Sequence, residues 1–157
     1  MILQLYDIKL KDDIPTLFKV KNFNIPDANF NTPSMVTTIV RDLFHTDTLA
    51  DEFTYLLTFD NAMHPLGIFE LSRGSVNLCL VSMRGIFIRA LFTGASSIIL
   101  LHNHTSGDTS PSRVDFKTAI RLKILGNVLE IPLLDFLIIG KDSYYSMQEN
   151  NFRDTLN

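Results

Sequence analysis

The segment IILLHNHTSGDTSPSRVDF, residues 98–116, restricts the fold of this chain more than any other part of the sequence. Its first residues continue the apolar run SSIILL, which predicts a short strand buried on both faces. Turn-forming residues follow, and Ser112 then predicts the start of a helix, because serine is a good N-cap residue. The segment therefore predicts a buried strand whose end is brought back, through a turn, to the first turn of a helix.

Two histidines lie at the end of this predicted strand. Alternate side chains of extended backbone point to the same side, so we expect His102 and His104 to share a side and Asn103 to point away. Asp115 is at the third position of the predicted helix, and its carboxylate projects from the first turn. Two imidazole nitrogens and one carboxylate oxygen suit Zn²⁺ and leave a fourth tetrahedral position for water, which is the catalytic pattern. The sequence thus predicts a zinc site of His102, His104 and Asp115.

Hydrolysis at such a site also needs a carboxylate outside the metal ligands, which takes a proton from water and delivers it to the leaving group. Glu52 begins one predicted strand and Glu70 lies inside the next, and the residues alone leave the choice between them open. The hydroxyl of Ser112 could donate a hydrogen bond to the oxyanion of a tetrahedral intermediate. His45 and His64 lie at a predicted helix end and in a predicted turn, where we expect solvated surface residues.

The remaining elements follow from hydrophobic periodicity and turn residues. Strands are predicted in ILQLYDIKL, EFTYLLTFD, IFELS, SVNLCLVS and PLLDFLII, and helices from a cap at Ser34 to about His45, from Met83 to Thr93, and from Ser112 to about Gly126. In the last helix we expect an inward face of Phe116, Ala119, Ile120 and Leu125. Residues 22–34 are rich in Asn and Pro and predict a loop.

We therefore divide the chain into an N-terminal strand and linker segment, residues 1–34, and a domain of residues 35–157. The order of elements predicts an α/β fold, with one mixed central sheet flanked by helices in a single domain.

Composition and charge narrow the possible partners and the cellular location of the protein. A net charge of −3 gives no general attraction to phosphate, although four lysines make the first 21 residues locally basic. The single cysteine, Cys79, excludes an internal disulfide, and in its apolar stretch we expect a buried, inert thiol. The N-terminus lacks a charged signal region, and no apolar run approaches the ~20 residues that cross a bilayer. We therefore expect a cytoplasmic protein without membrane contact.

The segment LLHNHTSGDTSPSRVD resembles the JAMM (MPN+) metalloprotease signature H-x-H-P-x6-S-x-x-D, and in particular its RadC-like JAB branch. The likeness extends from about Glu52 to Phe152 and includes EFTYLLTFD, ELSRGSV and IPLLDFLIIG. It implies a cytidine-deaminase-like JAB/MPN fold and a Zn²⁺ ion held by His102, His104 and Asp115. It also implies Ser112 as the oxyanion-side residue and favours Glu52 as the acid/base, with Glu70 as the alternative. JAMM enzymes cleave peptide or isopeptide bonds, so the resemblance implies a protein or peptide substrate.

The sequence departs from the family pattern at three positions. Thr105 stands where the family usually has proline, Phe136 replaces a usual histidine, and Gly85 replaces a usual acidic residue after Arg84. None of these changes removes a predicted metal ligand. Residues 1–34 have neither the length nor the Gly-rich hairpin of the helix-hairpin-helix DNA-binding module found in longer members. The chain therefore resembles the short, single-domain JAB form found in bacterial genomes and mobile elements.

Three functions remain after these observations. The first is a zinc-dependent peptide or isopeptide hydrolase linked to DNA repair or mobile elements. The second is a noncatalytic, metal-stabilised module that binds protein or DNA during repair or recombination. The third is DNA hydrolysis at the same metal, against which the pI near 5.7 counts. The literal tripeptide HNH does not indicate an HNH nuclease, whose residues spread over a longer unit. An exposed N-terminal strand could also mediate a homodimer.

Overall fold

The computed structural model describes residues 1–27, 30–74 and 82–153. In these ranges the chain forms seven strands and three helices. The strands are β1 (Ile2–Lys11), β2 (Ile14–Asn24), β3 (Phe53–Phe59), β4 (Pro65–Arg73), β5 (Ser97–Asn103), β6 (Leu133–Ile139) and β7 (Tyr144–Ser146). The helices are α1 (Pro33–Phe44), α2 (Met83–Phe92) and α3 (Arg113–Val128).

All seven strands belong to one mixed sheet in the order β2-β1-β4-β3-β5-β6-β7. The pairs β1/β4 and β5/β6 are parallel and the other neighbours are antiparallel. Strand β5 is buried along its whole length because both faces of the sheet are covered. Its residues Ile98 and Leu100 join the core under α2 and α3, whereas Ile99 and Leu101 join the core under α1. The predicted α/β fold, one mixed central sheet flanked by helices, is confirmed.

The pairing of β3 with β5 determines what lies near the two histidines. Thr54 of β3 is opposite His102 of β5 in an antiparallel register. Continuing that register by two residues puts Glu52 level with His104. The start of β3 and the end of β5 therefore lie at the same edge of the sheet.

The N-terminal region differs from the sequence prediction. Residues 22–24, predicted as part of a loop, continue the strand β2, which pairs with β1 through a turn at Asp12 and Asp13. This second strand was missed because its polar and apolar residues do not alternate regularly. Helix α1 is capped by Thr32 and not by Ser34, since the Thr32 side chain accepts a hydrogen bond from the Met35 N–H and Pro33 occupies the first helical turn. A domain boundary at residue 34 stays a prediction.

The later elements follow the prediction more closely. Helix α2 ends one residue before Thr93, and Gly94 adopts the left-handed conformation expected of a helix stop. The strand predicted over SVNLCLVS, and with it the buried thiol of Cys79, lies outside the described residues. In α3, Phe116 and Ala119 are buried as predicted, but Ile120 and Leu125 are exposed. The prediction failed there because the helix carries apolar residues on two sides, and periodicity alone did not show which side the sheet covers.

Among the described residues, no helix is long and apolar enough to cross a membrane.

Candidate metal centre

Three potential ligand side chains meet where β5 ends and α3 begins. His102 is the penultimate residue of β5, and His104 follows the strand. Asp115 projects from the first turn of α3. One ligand atom from each residue lies within 4.8 Å of the other two. The Nε2 atom of His102 is 3.4 Å from Oδ1 of Asp115, and Nε2 of His104 is 3.7 Å from Oδ2 of the same carboxylate. The structure therefore brings the three predicted ligands together, at positions from which they could hold one metal ion.

The loop between β5 and α3 is fixed at both ends. At the helix start, Ser112 and Asp115 form a capping box: Oγ of Ser112 accepts from the Asp115 N–H at 3.2 Å, and Oδ2 of Asp115 accepts from the Ser112 N–H at 2.6 Å. Inside the loop, Gly107 has a φ of +82°, which favours glycine. Gly140 lies against the loop so closely that a Cβ atom there would be 2.6 Å from the Gly107 carbonyl oxygen. The capping box sets the direction of the Asp115 carboxylate, and the two glycines let the loop pack closely against the end of β6.

The surroundings of the two imidazoles leave their Nε2 atoms available for a metal. Nδ1 of His104 lies 2.6 Å from the backbone carbonyl oxygen of Asp108, so Nδ1 carries a hydrogen, and in the neutral imidazole Nε2 carries the lone pair. Nε2 of His102 is buried and has no hydrogen-bond partner among the described residues. An unpaired buried nitrogen is costly, and a bound cation would satisfy it. The donor set therefore fits a metal ion.

The electrostatics of the site also suit a cation. Burial by itself would raise the pKa of Asp115, but its contacts with His102, His104 and Ser112 outweigh burial and hold the pKa well below its usual range. For His104, burial lowers the pKa, whereas Asp115 and the Asp108 carbonyl raise it, and the net effect is an increase. The carboxylate is thus ionised at neutral pH, as a metal ligand must be.

The structure separates the two candidate acid/base residues. Oε2 of Glu52 lies 4.0 Å from Nδ1 of His102, is buried, and has no hydrogen-bond partner in the described part of the chain. Glu70 is an exposed residue of β4, where it is opposite Tyr55 of β3. Strand β3 therefore lies between Glu70 and β5, which carries the first histidine. Burial and the nearby Asp7 raise the pKa of Glu70, partly offset by Arg73. Glu52 and not Glu70 therefore lies beside the histidines.

Asn103 has a role that the sequence prediction missed. Its buried side chain points away from the histidines, as predicted, and contacts the chain on both sides of Glu52. Oδ1 accepts from the backbone N–H of Phe53 at 2.7 Å, and Nδ2 donates to the carbonyl of Asp51 at 3.2 Å. Only the alternation of side chains in HNH could have indicated this residue, because its partners depend on the β3/β5 pairing.

The departures from the family pattern change the surroundings of the site. Phe136 is fully buried and its ring centre lies 6.0 Å from that of His102, so an apolar wall stands where the resemblance leads us to expect a histidine. Thr105 lines a small cavity of about 90 Å³ beside His104, together with Lys141. A larger cavity of about 340 Å³ lies elsewhere, at the start of β6 near Asp135, and is mainly apolar. The small cavity therefore adjoins the candidate metal centre at His104.

Comparison with known proteins agrees with this geometry. A family model of the RadC-like JAB domain matches residues 30–152. A UPF0758 protein of Clostridium perfringens is 37% identical over 134 residues, which cover 85% of this chain and 57% of the relative. UPF0758 proteins of Clostridium beijerinckii and Chlorobium phaeovibrioides are 42% and 45% identical over 84 and 82 residues, covering 54% and 52% of this chain and 37% of each relative. The chain thus spans only part of the length of these curated relatives. Since the family model matches well over half of its residues, the chain belongs to the RadC-like JAB domain family.

Proposed function

We propose that the protein is a zinc-dependent hydrolase of peptide or isopeptide bonds. The observation that carries the proposal is the buried group of His102, His104 and Asp115, in which Nε2 of His102 has no partner among the described residues. Two nitrogens and one oxygen are a donor set that suits Zn²⁺ and leaves one coordination position open. The JAB domain family is related to metallohydrolases, which supports the same chemistry.

The residues around the site have distinct tasks in this proposal. A Zn²⁺ ion, when bound, would supply the Lewis acid that activates water and polarises the scissile carbonyl. Glu52 accepts the proton of the attacking water and returns it to the leaving amine, because its buried Oε2 atom is free of other partners within the described residues. Asn103 holds the backbone on both sides of Glu52 and so positions its carboxylate.

Ser112 completes the mechanism on the oxyanion side. Its Oγ atom already accepts a hydrogen bond from the Asp115 N–H, which leaves the hydroxyl hydrogen available as a donor. That hydrogen can stabilise the negative charge that develops on the substrate carbonyl oxygen. The substrate is a protein or peptide, and the small cavity beside His104 is where its chain would approach.

The cellular setting is part of the proposal and rests on the sequence. We propose a cytoplasmic location and a link to DNA repair or mobile elements, as the family resemblance implies. A homodimer through the edge strand β2 is consistent with its position at the end of the sheet. Nucleic acid has weaker support as a partner, because the whole chain is acidic.

A second candidate function is a noncatalytic, metal-stabilised module that binds protein or DNA during repair. The apolar wall at Phe136 favours it, since this residue offers no hydrogen bond to a substrate or to a ligand imidazole. In that case zinc would stabilise the domain and Glu52 would carry no proton.

Elemental analysis together with a peptidase assay tests the first proposal. We expect one zinc per chain in the wild type and in Glu52→Gln, and loss of zinc in His104→Ala but not in the exposed control His64→Ala. A library of internally quenched peptides should be cleaved by the wild type and by Glu70→Gln, and not by Glu52→Gln. Absence of zinc, with no effect of His104→Ala, would refute the proposal. Bound zinc with biological activity retained in Glu52→Gln would instead support the noncatalytic module.

A further inference from the structure

The outward side of α3 carries a row of basic residues that starts at the candidate metal centre. Arg113, Lys117 and Arg121 are exposed and follow one another at intervals of four, so they lie along one face of the helix. None of them forms an ion pair with a carboxylate of the described residues. The acidic residue of α3, Asp115, is buried on the opposite side. This row is positively charged although the whole chain has a net charge of −3.

Apolar residues continue the same side of the helix towards its C-terminus. Ile120, Ile124 and Val128 are 49%, 59% and 75% exposed and also follow one another at intervals of four. The buried side of α3 is formed by other residues, among them Phe116 and Leu122. We call Arg113, Lys117, Arg121, Ile120, Ile124 and Val128 the outer face of α3.

The intrinsic stability of the helix does not explain the residue types of this face. Arg113 lies in the first helical turn, where the helix dipole disfavours positive charge, and the last turn has no basic residue. The β-branched side chains of Ile120, Ile124 and Val128 are weaker helix formers than Leu or Ala, and they leave apolar surface in water. A partner that covers the face would account for both features.

We propose that the outer face of α3 binds an acidic, amphipathic helical segment of a protein partner. Carboxylates of that segment pair with Arg113, Lys117 and Arg121, and its apolar residues cover Ile120, Ile124 and Val128. The face is about 22 Å long at 1.5 Å per residue, which matches four turns of a partner helix. Because Asp115 lies in the first turn of α3, the bound segment leads the adjoining chain to the metal centre; this last step rests on the proposed hydrolase function.

A second copy of the chain fits the face less well. Two α3 helices packed in parallel would bring their basic rows together, and packed antiparallel they would place each basic row on the other copy's apolar residues. A nucleic acid would use the basic row but would give no role to Ile120, Ile124 and Val128. The combination of charge and apolar surface therefore favours an acidic protein segment.

The test uses a designed peptide and the full chain. The probe is a fluorescein-labelled helical peptide of about 18 residues, with Glu along one row and Leu along the neighbouring row. We expect saturable binding by fluorescence anisotropy, weakened about tenfold or more by Lys117→Glu with Arg121→Glu, and also by Ile124→Ser. A peptide with Lys in place of each Glu should bind the charge-reversed variant and not the wild type. The matched control, Lys9→Glu with Lys11→Glu, changes the net charge equally in the β1 strand and should bind like the wild type.

The other outcomes overturn the proposal. These are no binding by the wild type, an equal loss in the Lys9 and Lys11 control, duplex DNA binding that needs Lys117 but not Ile124, or a dimer in sedimentation that Ile124→Ser dissociates. Circular dichroism checks the fold of each variant, and Ile120→Ser replaces Ile124→Ser if the latter is unfolded. Binding should persist in His104→Ala, so failure of the hydrolase proposal and failure of this one are distinguishable.

Discussion

The side-chain oxygen of Asn103 accepts a hydrogen bond of 2.7 Å from the backbone N–H of Phe53, across the pairing of β5 with β3. The amide group of the same side chain donates to the Asp51 carbonyl at 3.2 Å. Glu52 lies between these two contacts, while the histidines on either side of Asn103 face the candidate metal centre. The tripeptide HNH therefore offers two candidate metal ligands on one side, while Asn103, on the other side, holds the backbone on both sides of the proposed proton carrier.

Replacement of Asn103 should separate catalysis from metal binding. Asn103→Ala leaves the buried N–H of Phe53 and the part-buried carbonyl of Asp51 without their side-chain partner, and should lower the free energy of unfolding by about 1–3 kcal/mol. The looser Glu52 should lower kcat for the proposed hydrolysis about tenfold or more and change its pH profile, with zinc content unchanged. Urea unfolding, elemental analysis and steady-state kinetics measure these three quantities.

Thr58→Ala is the matched control for Asn103→Ala. It removes a buried side-chain hydrogen bond to the Gly67 carbonyl, at the opposite end of β3 from Glu52. We expect a comparable or smaller loss of stability and no change in kcat at saturating zinc. An equal drop in kcat in both variants would show that Asn103 acts on stability alone.

A substitution at Gly107 should weaken zinc binding through the loop that holds His104. Its φ of +82° disfavours a Cβ atom, so Gly107→Ala should cost about 1–2 kcal/mol of local strain. The strain displaces the neighbouring Asp108 carbonyl, which orients the His104 imidazole. Loss of such an orienting contact costs about 10–100-fold in metal affinity, measurable by competition with a chelator.

Gly94→Ala provides the comparison for the loop substitution. Gly94 has a φ of +65° and no atom near its missing Cβ, but it lies after α2. It should lower Tm to a similar extent while zinc affinity stays at the wild-type value. If both variants bound zinc as the wild type does, the Asp108 carbonyl would have no part in orienting His104.

Features encoded by neighbouring residues could be predicted from the sequence. The apolar run of β5, the Ser112 cap and the adjacency of Asp115 to the histidines depend on local periodicity and turn chemistry, and the structure has each of them. That a metal binds there, and that it is zinc, stays a prediction. The role of Asn103 depends on which strand pairs with β5, and such a contact across 50 residues leaves no local pattern.

The dependence on contacts between distant residues also explains why the strand β2 and the outer face of α3 were not predicted. Strand β2 lies at the edge of the sheet, where one side is solvated and the hydrophobic alternation is weak. In α3, Ile120 and Phe116 both satisfy helical spacing, and only the position of the sheet decides which is buried. Periodicity identifies apolar faces, but it does not say what covers them.

Two substitutions at Ser112 should distinguish its capping role from its proposed catalytic role. Ser112→Ala removes the cap of α3 and should cost about 1 kcal/mol, whereas Ser112→Gly should cost only a few tenths. Both lack the hydroxyl donor, so both should lower kcat by about 10²–10³-fold if Ser112 stabilises the oxyanion. Chemical denaturation and kinetics on zinc-loaded protein measure the two effects. If kcat followed stability, with Ser112→Gly nearly as active as the wild type, Ser112 would be a cap only.

Asp135 should make the stability of the domain depend on pH. Burial raises the pKa of this carboxyl to about 6, against the hydrogen bonds from Ser146, Gln148 and Phe136 that lower it. The folded state therefore binds the proton more tightly than the unfolded state, and the stabilisation is complete below about pH 4 and lost as pH rises through 6. Asp135→Asn does not titrate, so the difference in unfolding free energy, wild type minus variant, should fall by about 2 kcal/mol between pH 4 and pH 7. Urea unfolding in the presence of a chelator measures this difference without a contribution from bound metal, and parallel pH profiles for the two proteins would contradict the prediction.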